Sequence, residues 1–185
     1  DQVYFRIGES FSKLASYQEA ILYFLKAIKK DHVEAMLHLA VLYHEVFKDY
    51  ENAKTYYFMA MGKGNMDAML SLGNLYYHEL HEYKTAEKYY LMAVKKGRER
   101  SMVLTSEKSS LKTLRNYLVK ALKGNVDNPD RYHFNDFNGV KEHYLHTVKN
   151  ISAEAMFQLG NLYIGELKNY EKAQMYYLAA MRAGH

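Results

Sequence analysis

The sequence predicts an all-α fold, a right-handed α-solenoid of about five helix-turn-helix repeats of about 33 residues each. Two observations support this prediction. The 185 residues include one Pro and ten Gly, fewer residues that interrupt regular structure than a chain of many short strands and turns requires. A pattern of small residues and paired aromatic residues also recurs along the chain at a fixed distance.

The internal repeat is strong. Segments 68–97 and 155–184 share 16 of 30 residues without a gap, and segment 35–64 shares 14 of 30 with the first of them. Each copy carries an Ala, an aromatic pair three and four residues later, and a second Ala at the seventh position, as in Ala53, Tyr56, Tyr57 and Ala60. Positions 0, +4 and +7 share one face of a helix, so we expect the second aromatic ring to lie in the core and the first to be half exposed.

The first helix of each repeat is predicted to carry a matching apolar stripe. In the third copy this stripe is Leu72, Leu75 and Tyr76, with Gly73 at a crowded crossing of helices. Short polar segments follow the stripe and predict tight turns: HEVFKD, YHELHE and IGELKN. A single domain with five repeats is therefore expected, at 1–31, 32–64, 65–97, 98–151 and 152–185.

The fourth copy departs from the pattern. Phe137, Val140, Tyr144 and Thr147 occupy the slots of its second helix, but Val140 follows Ala86 by 54 residues rather than 33, which is an insertion of 21. The spacing of apolar residues predicts a long or displaced helix that ends near residue 123. A loop of about 13 residues, 124–136, is expected to follow, and loops of this length are often functional.

The recurring motif resembles the Sel-one-like repeat, a close relative of the tetratricopeptide repeat. The matching residues are Ala68, Leu72, Gly73 and Tyr76 in the third copy and Ala155, Leu159, Gly160 and Tyr163 in the last. The first copy, with Ile7, Gly8, Phe11, Ala20, Phe24 and Ala27, is closer to the tetratricopeptide spacing. The resemblance covers nearly the whole chain except 98–136 and implies a scaffold or adaptor that binds other proteins.

Charge is concentrated where the repeat breaks. Residues 95–123 hold nine Lys or Arg against Glu99 and Glu107, a net charge of +7, so the rest of the chain carries −3 of the total of +4. A solvated helix face is one interpretation of this segment. The functional alternatives are docking of an acidic protein partner and contact with the phosphate backbone of a nucleic acid.

Several function classes find no support in the sequence. The chain contains no P-loop, no G-x-S-x-G and no H-E-x-x-H motif, so we expect no enzyme and no cofactor. The absence of Cys excludes disulfides and thiolate metal sites and fits a cytoplasmic setting, and His143 and His146 are interpreted as surface residues rather than metal ligands. No apolar run has the length of a membrane span. Because the chain begins at Asp1 without Met, we expect a fragment of a longer protein.

Candidate partner-binding residues lie at two places. Asn74 and Asn161 follow the Gly slot on otherwise apolar helices, where an amide serves either the fold or the backbone of a bound extended peptide. The basic segment and the following loop supply the others. The full predicted set, for a protein or peptide partner, is Asn74, Asn161, Tyr77, Arg98, Arg100, Lys108, Lys112, Arg115, Tyr132 and Phe134.

Overall fold

A computed structural model describes residues 2–105 and 137–185 of the protein. These residues form eight helices and no strand, which confirms the predicted all-α repeat fold. The helices are α1 (Gln2–Lys13), α2 (Tyr17–Ile28), α3 (Val33–Val41), α4 (Tyr50–Gly62), α5 (Met66–Asn74), α6 (Tyr83–Thr105), α7 (Phe137–Gly165) and α8 (Tyr170–Ala183). Helices α3 and α5 continue as π-helical turns at Leu42–Phe47 and Leu75–Glu79.

The described residues divide into two compact units, 2–68 and 69–105 with 137–185. The core of the first unit is built around Phe5, Phe24 and Leu39. The core of the second unit includes Leu72, Tyr90 and other fully buried residues of α5, α6 and α7. Each core is formed by the stripes of small and apolar residues that recur in the sequence.

The turns within the hairpins share one backbone geometry. In each, one residue adopts the left-handed conformation two positions before the second helix starts, with φ of 57° at Ala15, 54° at Lys48, 54° at His81 and 51° at Lys168. In two of these turns the next side chain caps the following helix: Asp49 accepts from the backbone N–H of Asn52 at 3.1 Å, and Asn169 accepts from that of Lys172 at 3.0 Å. The predicted turns HEVFKD and YHELHE are therefore partly π-helical, IGELKN is not, and all three contain a left-handed residue.

In three of the four hairpins the second aromatic ring of the pair packs on a glycine of the preceding helix, whereas the second hairpin has Ala40 at that position. An added Cβ on Gly8 would lie 2.7 Å from the Phe24 ring, and one on Gly160 would lie 2.5 Å from the Tyr177 ring. Gly73 has the same relationship to Tyr90, which is fully buried. The prediction of a crowded helix crossing at Gly73, with the second aromatic residue in the core, is confirmed.

The first aromatic ring of each pair stacks on a ring near the end of the preceding helix. The ring centroids are 5.4–5.8 Å apart and the planes lie within 15° of parallel. The pairs are Phe11–Tyr23, Tyr43–Tyr56, Tyr76–Tyr89 and Tyr163–Tyr176. This stack is a second aromatic contact between the two helices of a hairpin, separate from the packing of the second aromatic ring described above.

Helices α6 and α7 extend through positions where the repeat pattern predicts boundaries. Gly97 stands where the other copies end, yet it is buried and helical, and α6 continues to Thr105 because the next residues are good helix formers that pack Arg100 and Leu104 inward. Helix α7 likewise continues through residue 152 with no Gly or Pro to stop it. The two helices run antiparallel, since Glu87 meets Tyr163 at one end and Arg100 meets Tyr144 at the other.

Candidate functional site

The buried Tyr90 and the half-buried Tyr177 fix the amides of Asn74 and Asn161. The Tyr90 hydroxyl donates to Asn74 Oδ1 at 2.8 Å, and the Tyr177 hydroxyl donates to Asn161 Oδ1 at 2.8 Å. Because each amide oxygen is occupied, the Nδ2 hydrogens of both residues point to the other side of the amide. Both asparagines are half-buried. The two predicted residues therefore serve the fold through their oxygens and keep their donors on the partly exposed side.

Tyr77 lies next to the end of α7, since a Cβ added to Gly165 would be 3.7 Å from its hydroxyl. Burial is the main cause of the raised pKa of Tyr77, and the charges of Glu166, Tyr83 and Tyr177 raise this pKa further. Burial likewise raises the pKa of Tyr90, with Tyr77 as the next cause. The predicted residues Asn74, Tyr77 and Asn161 all belong to the second unit.

A chain of hydrogen bonds runs along one face of α7. Gln158 Nε2 donates to Glu154 Oε1 at 2.7 Å, and Asn161 Nδ2 donates to Gln158 Oε1 at 3.3 Å. At its end, His185 Nε2 lies 3.0 Å from Glu154 Oε2, and the imidazole stacks on Phe157 with centroids 4.4 Å apart. We call Glu154, Gln158 and Asn161 the polar strip. Its spacing of i, i+4 and i+7 was readable in the sequence, but Glu154 and Gln158 are common on any helix surface.

An open groove lies at the Glu154 end of the polar strip. Its volume is about 510 Å³, and Leu70 of α5 forms one wall. The side of α7 supplies much of the rest through His146, Asn150, Ile151 and Glu154. The groove has the size of a small-ligand or side-chain pocket, and it joins apolar surface to a carboxylate and an amide.

The predicted basic residues are divided. Arg98 is exposed on α6, whereas Arg100 is only 6% exposed, with its guanidinium 5.9 Å from the centre of the Tyr144 ring. Arg100 thus packs α6 on α7 rather than facing solvent, contrary to the role expected for it. Loop 124–136 lies outside the described part of the chain. So do the remaining predicted residues, which are Lys108, Lys112, Arg115, Tyr132 and Phe134.

Neither metal nor membrane features mark the described residues. Within 2–105 and 137–185, no three His, Asp or Glu side chains gather closely enough to hold a metal ion. His146, which the sequence analysis places on the surface, is exposed and lies 3.2 Å from the Asn150 amide. No helix in the same ranges has the length and apolar character needed to cross a membrane.

Comparison with known proteins connects these hairpins to one kind of repeat. Models of the tetratricopeptide repeat match residues 1–29, 34–57 and 153–183, which correspond to three of the hairpins described above. Curated proteins and solved structures gave no significant match. Tetratricopeptide repeats generally mediate contacts between proteins. The hairpin geometry and the matched segments together show that the chain carries tetratricopeptide-like repeats.

Proposed function

We propose that this protein is a scaffold or adaptor that binds an extended peptide segment of a partner protein along the polar strip and Asn74. The observation that carries the proposal is the pair of hydrogen bonds from Tyr90 and Tyr177, each 2.8 Å long, that orient the two asparagine amides. An amide held by the core presents its N–H donors in a fixed direction. Little side-chain entropy is then lost when a peptide carbonyl accepts from it.

The chemistry of the polar strip suits a peptide backbone, because an extended peptide offers alternating N–H donors and carbonyl acceptors. Glu154, Gln158 and Asn161 bond to one another, and each keeps further capacity: a second Nδ2 hydrogen on Asn161 and second lone pairs on the oxygens of Glu154 and Gln158. Asn74 adds the Nδ2 donors of its amide. The groove beside Leu70 would take one side chain of the same peptide. This function requires binding and no chemical step, in keeping with the expectation that the protein is not an enzyme.

We also assign the repeats to the Sel-one-like subtype and keep the division into five repeats as part of the proposal. The support for the subtype is the motif A-x-x-x-L-G-x-x-Y, which includes Leu72, Gly73 and Tyr76. In the fourth repeat, 98–151, the first helix would be merged with α6 and the second with α7. The alternative function, nucleic-acid binding through residues 95–123, rests on the net charge of that segment.

Selection of peptides on the intact protein tests the proposed function. Peptides would be selected from a displayed random library, and their Kd measured for the wild type, for Asn74→Ala with Asn161→Ala, and for Asn52→Ala, an exposed asparagine outside the strip. Loss of two hydrogen bonds of about 0.5–1.5 kcal/mol each predicts binding weaker by about 5- to 150-fold in the double variant only. Equal affinity of a folded double variant for every selected peptide would disprove the proposal.

A further inference from the structure

A second groove lies on a different face of α7 from the polar strip, where α6, α7 and α8 meet. Its volume is about 200 Å³, and its floor is apolar, formed by Val94, Gly97, Met156 and Ala183. Drug- or cofactor-sized pockets have volumes of about 300–1,000 Å³, so this groove has room for a single side chain. We call it the basic groove because of the residues at its rim.

Two cationic side chains from different helices border this floor. Arg98 of α6 and Lys149 of α7 are both exposed and both line the groove. Within the described part of the chain, neither makes an ion pair with a carboxylate, and the nearby Glu99 pairs with Lys96 at 3.7 Å. The rim therefore carries two positive charges that no described acidic side chain balances, and an acidic ligand would complement them.

Hydroxyl groups add to the recognition surface of the basic groove. Ser152 is buried and donates to the Val148 carbonyl at 2.9 Å, so its hydroxyl proton is already used. Ser101 is half-buried, and no other described residue forms a hydrogen bond to its hydroxyl, although its backbone carbonyl accepts from Thr105 at 2.8 Å. One hydroxyl is therefore available to a ligand beside the two cations.

We infer that the basic groove binds a short acidic segment of a partner protein that places one apolar side chain on the floor and carboxylates against Arg98 and Lys149. The apolar floor favours a peptide over a nucleic acid, because phosphates gain nothing from Val94 and Met156. Bases would need exposed aromatic rings for stacking, and none lines this groove. The inference rests on the proposed adaptor function and adds the chemistry of a second contact.

Fluorescence anisotropy of the intact protein with a labelled octapeptide of alternating Glu and Leu tests the inference. We expect saturable binding that weakens about 10- to 100-fold when Arg98→Glu and Lys149→Glu are combined, because two charge-assisted contacts become repulsive. A matched pair, Lys84→Glu with Lys168→Glu, reverses two exposed lysines of the same unit and should change the affinity by less than about threefold. Lys84 lies 14 residues before Arg98 on α6, about 21 Å along the helix, and exposed charges at this separation are screened. Peptides with Gln for Glu, or with Ser for Leu, should each bind more weakly than the Glu–Leu peptide.

Several outcomes would overturn the inference. They are no binding of the octapeptide by the wild type, equal weakening in both reversal pairs, or tighter binding of a labelled deoxythymidine decamer. Circular dichroism establishes that the variants fold, and the milder pair Arg98→Gln with Lys149→Gln should give an intermediate affinity. Asn74→Ala with Asn161→Ala should leave octapeptide binding unchanged, so failure at this groove and failure at the polar strip can be told apart.

Discussion

The hydroxyl of Tyr163 on α7 donates a hydrogen bond to the carboxylate of Glu87 on α6, a residue 76 positions earlier in the chain. Tyr83 of the third hairpin and Leu167 of the last line one groove beside this hydrogen bond. Between the first two hairpins, the ring centroids of Tyr17 and Phe47 are 6.1 Å apart. The last hairpin thus packs against the third much as the second packs against the first.

Tyr163→Phe is expected to lower the free energy of unfolding by about 1 kcal/mol. The substitution removes the bond to Glu87 and the 3.3 Å bond that the hydroxyl accepts from Lys172 Nζ, both of them charge-assisted. Glu87 keeps a 3.7 Å contact with Lys84 and some access to water, which limits the penalty. Tyr76→Phe is the matched control, because Tyr76 has the equivalent ring stack while its hydroxyl bonds to no described residue. Urea denaturation compares the two, and an equal effect of both substitutions would show that the hydrogen bonds of the Tyr163 hydroxyl add nothing.

Gly160→Ala is expected to destabilise the protein by about 1–3 kcal/mol, although Ala favours a helix over Gly by about 1 kcal/mol. The added Cβ would lie 2.5 Å from Tyr177, so the ring and its hydrogen bond to Asn161 must shift. Gly62→Ala meets no atom within 4 Å and should be neutral or slightly stabilising. The unfolding midpoints test this, and a stabilised Gly160→Ala variant would contradict the packing described.

Asp49→Asn is expected to make stability less dependent on pH below about 4. Hydrogen bonds from the side chain and then the backbone of Asn52 hold the pKa of Asp49 below its ordinary value. This stabilisation is complete above the unfolded-state pKa, about 3.9, and is lost as the pH falls through the lower folded-state pKa. Urea midpoints between pH 7 and pH 3 should therefore converge for wild type and variant, whereas a constant difference would exclude this role.

Local spacing allowed the core of each hairpin to be predicted from the sequence. The ring of Tyr90 on Gly73 follows from helical periodicity within one repeat, and the fixed offset between copies extends it to Tyr177 on Gly160. The bond between Tyr163 and Glu87 could not be foreseen, because it depends on which hairpins become neighbours. Glu154 and Gln158 were missed for the same reason, since only the packing beside Asn161 and the adjoining groove distinguishes them.

The repeat pattern alone also misplaced one helix boundary. A terminal Gly ends a helix when it adopts the left-handed conformation, as Gly64 and Gly184 do with φ of 86° and 103°. Gly97 occupies the equivalent place but stays helical, because Arg100 and Leu104 become buried when α6 continues. The residues after the glycine decide the outcome, and the repeat motif does not include them.

Amide hydrogen exchange is expected to show slow exchange without interruption across Gly97 in α6 and across Ser152 in α7. If a new helix began after Gly97, the amides of residues 98–101 would lack partners within the helix and would exchange quickly. In the continuous helix each of them has a carbonyl partner four residues earlier, and Arg100 and Leu104 are buried. His81 and Lys168 lie in turns between helices and provide fast-exchanging references. Exchange at residues 98–101 as fast as at these references would show that α6 ends at Gly97, and the basic groove would then lose the wall that carries Arg98.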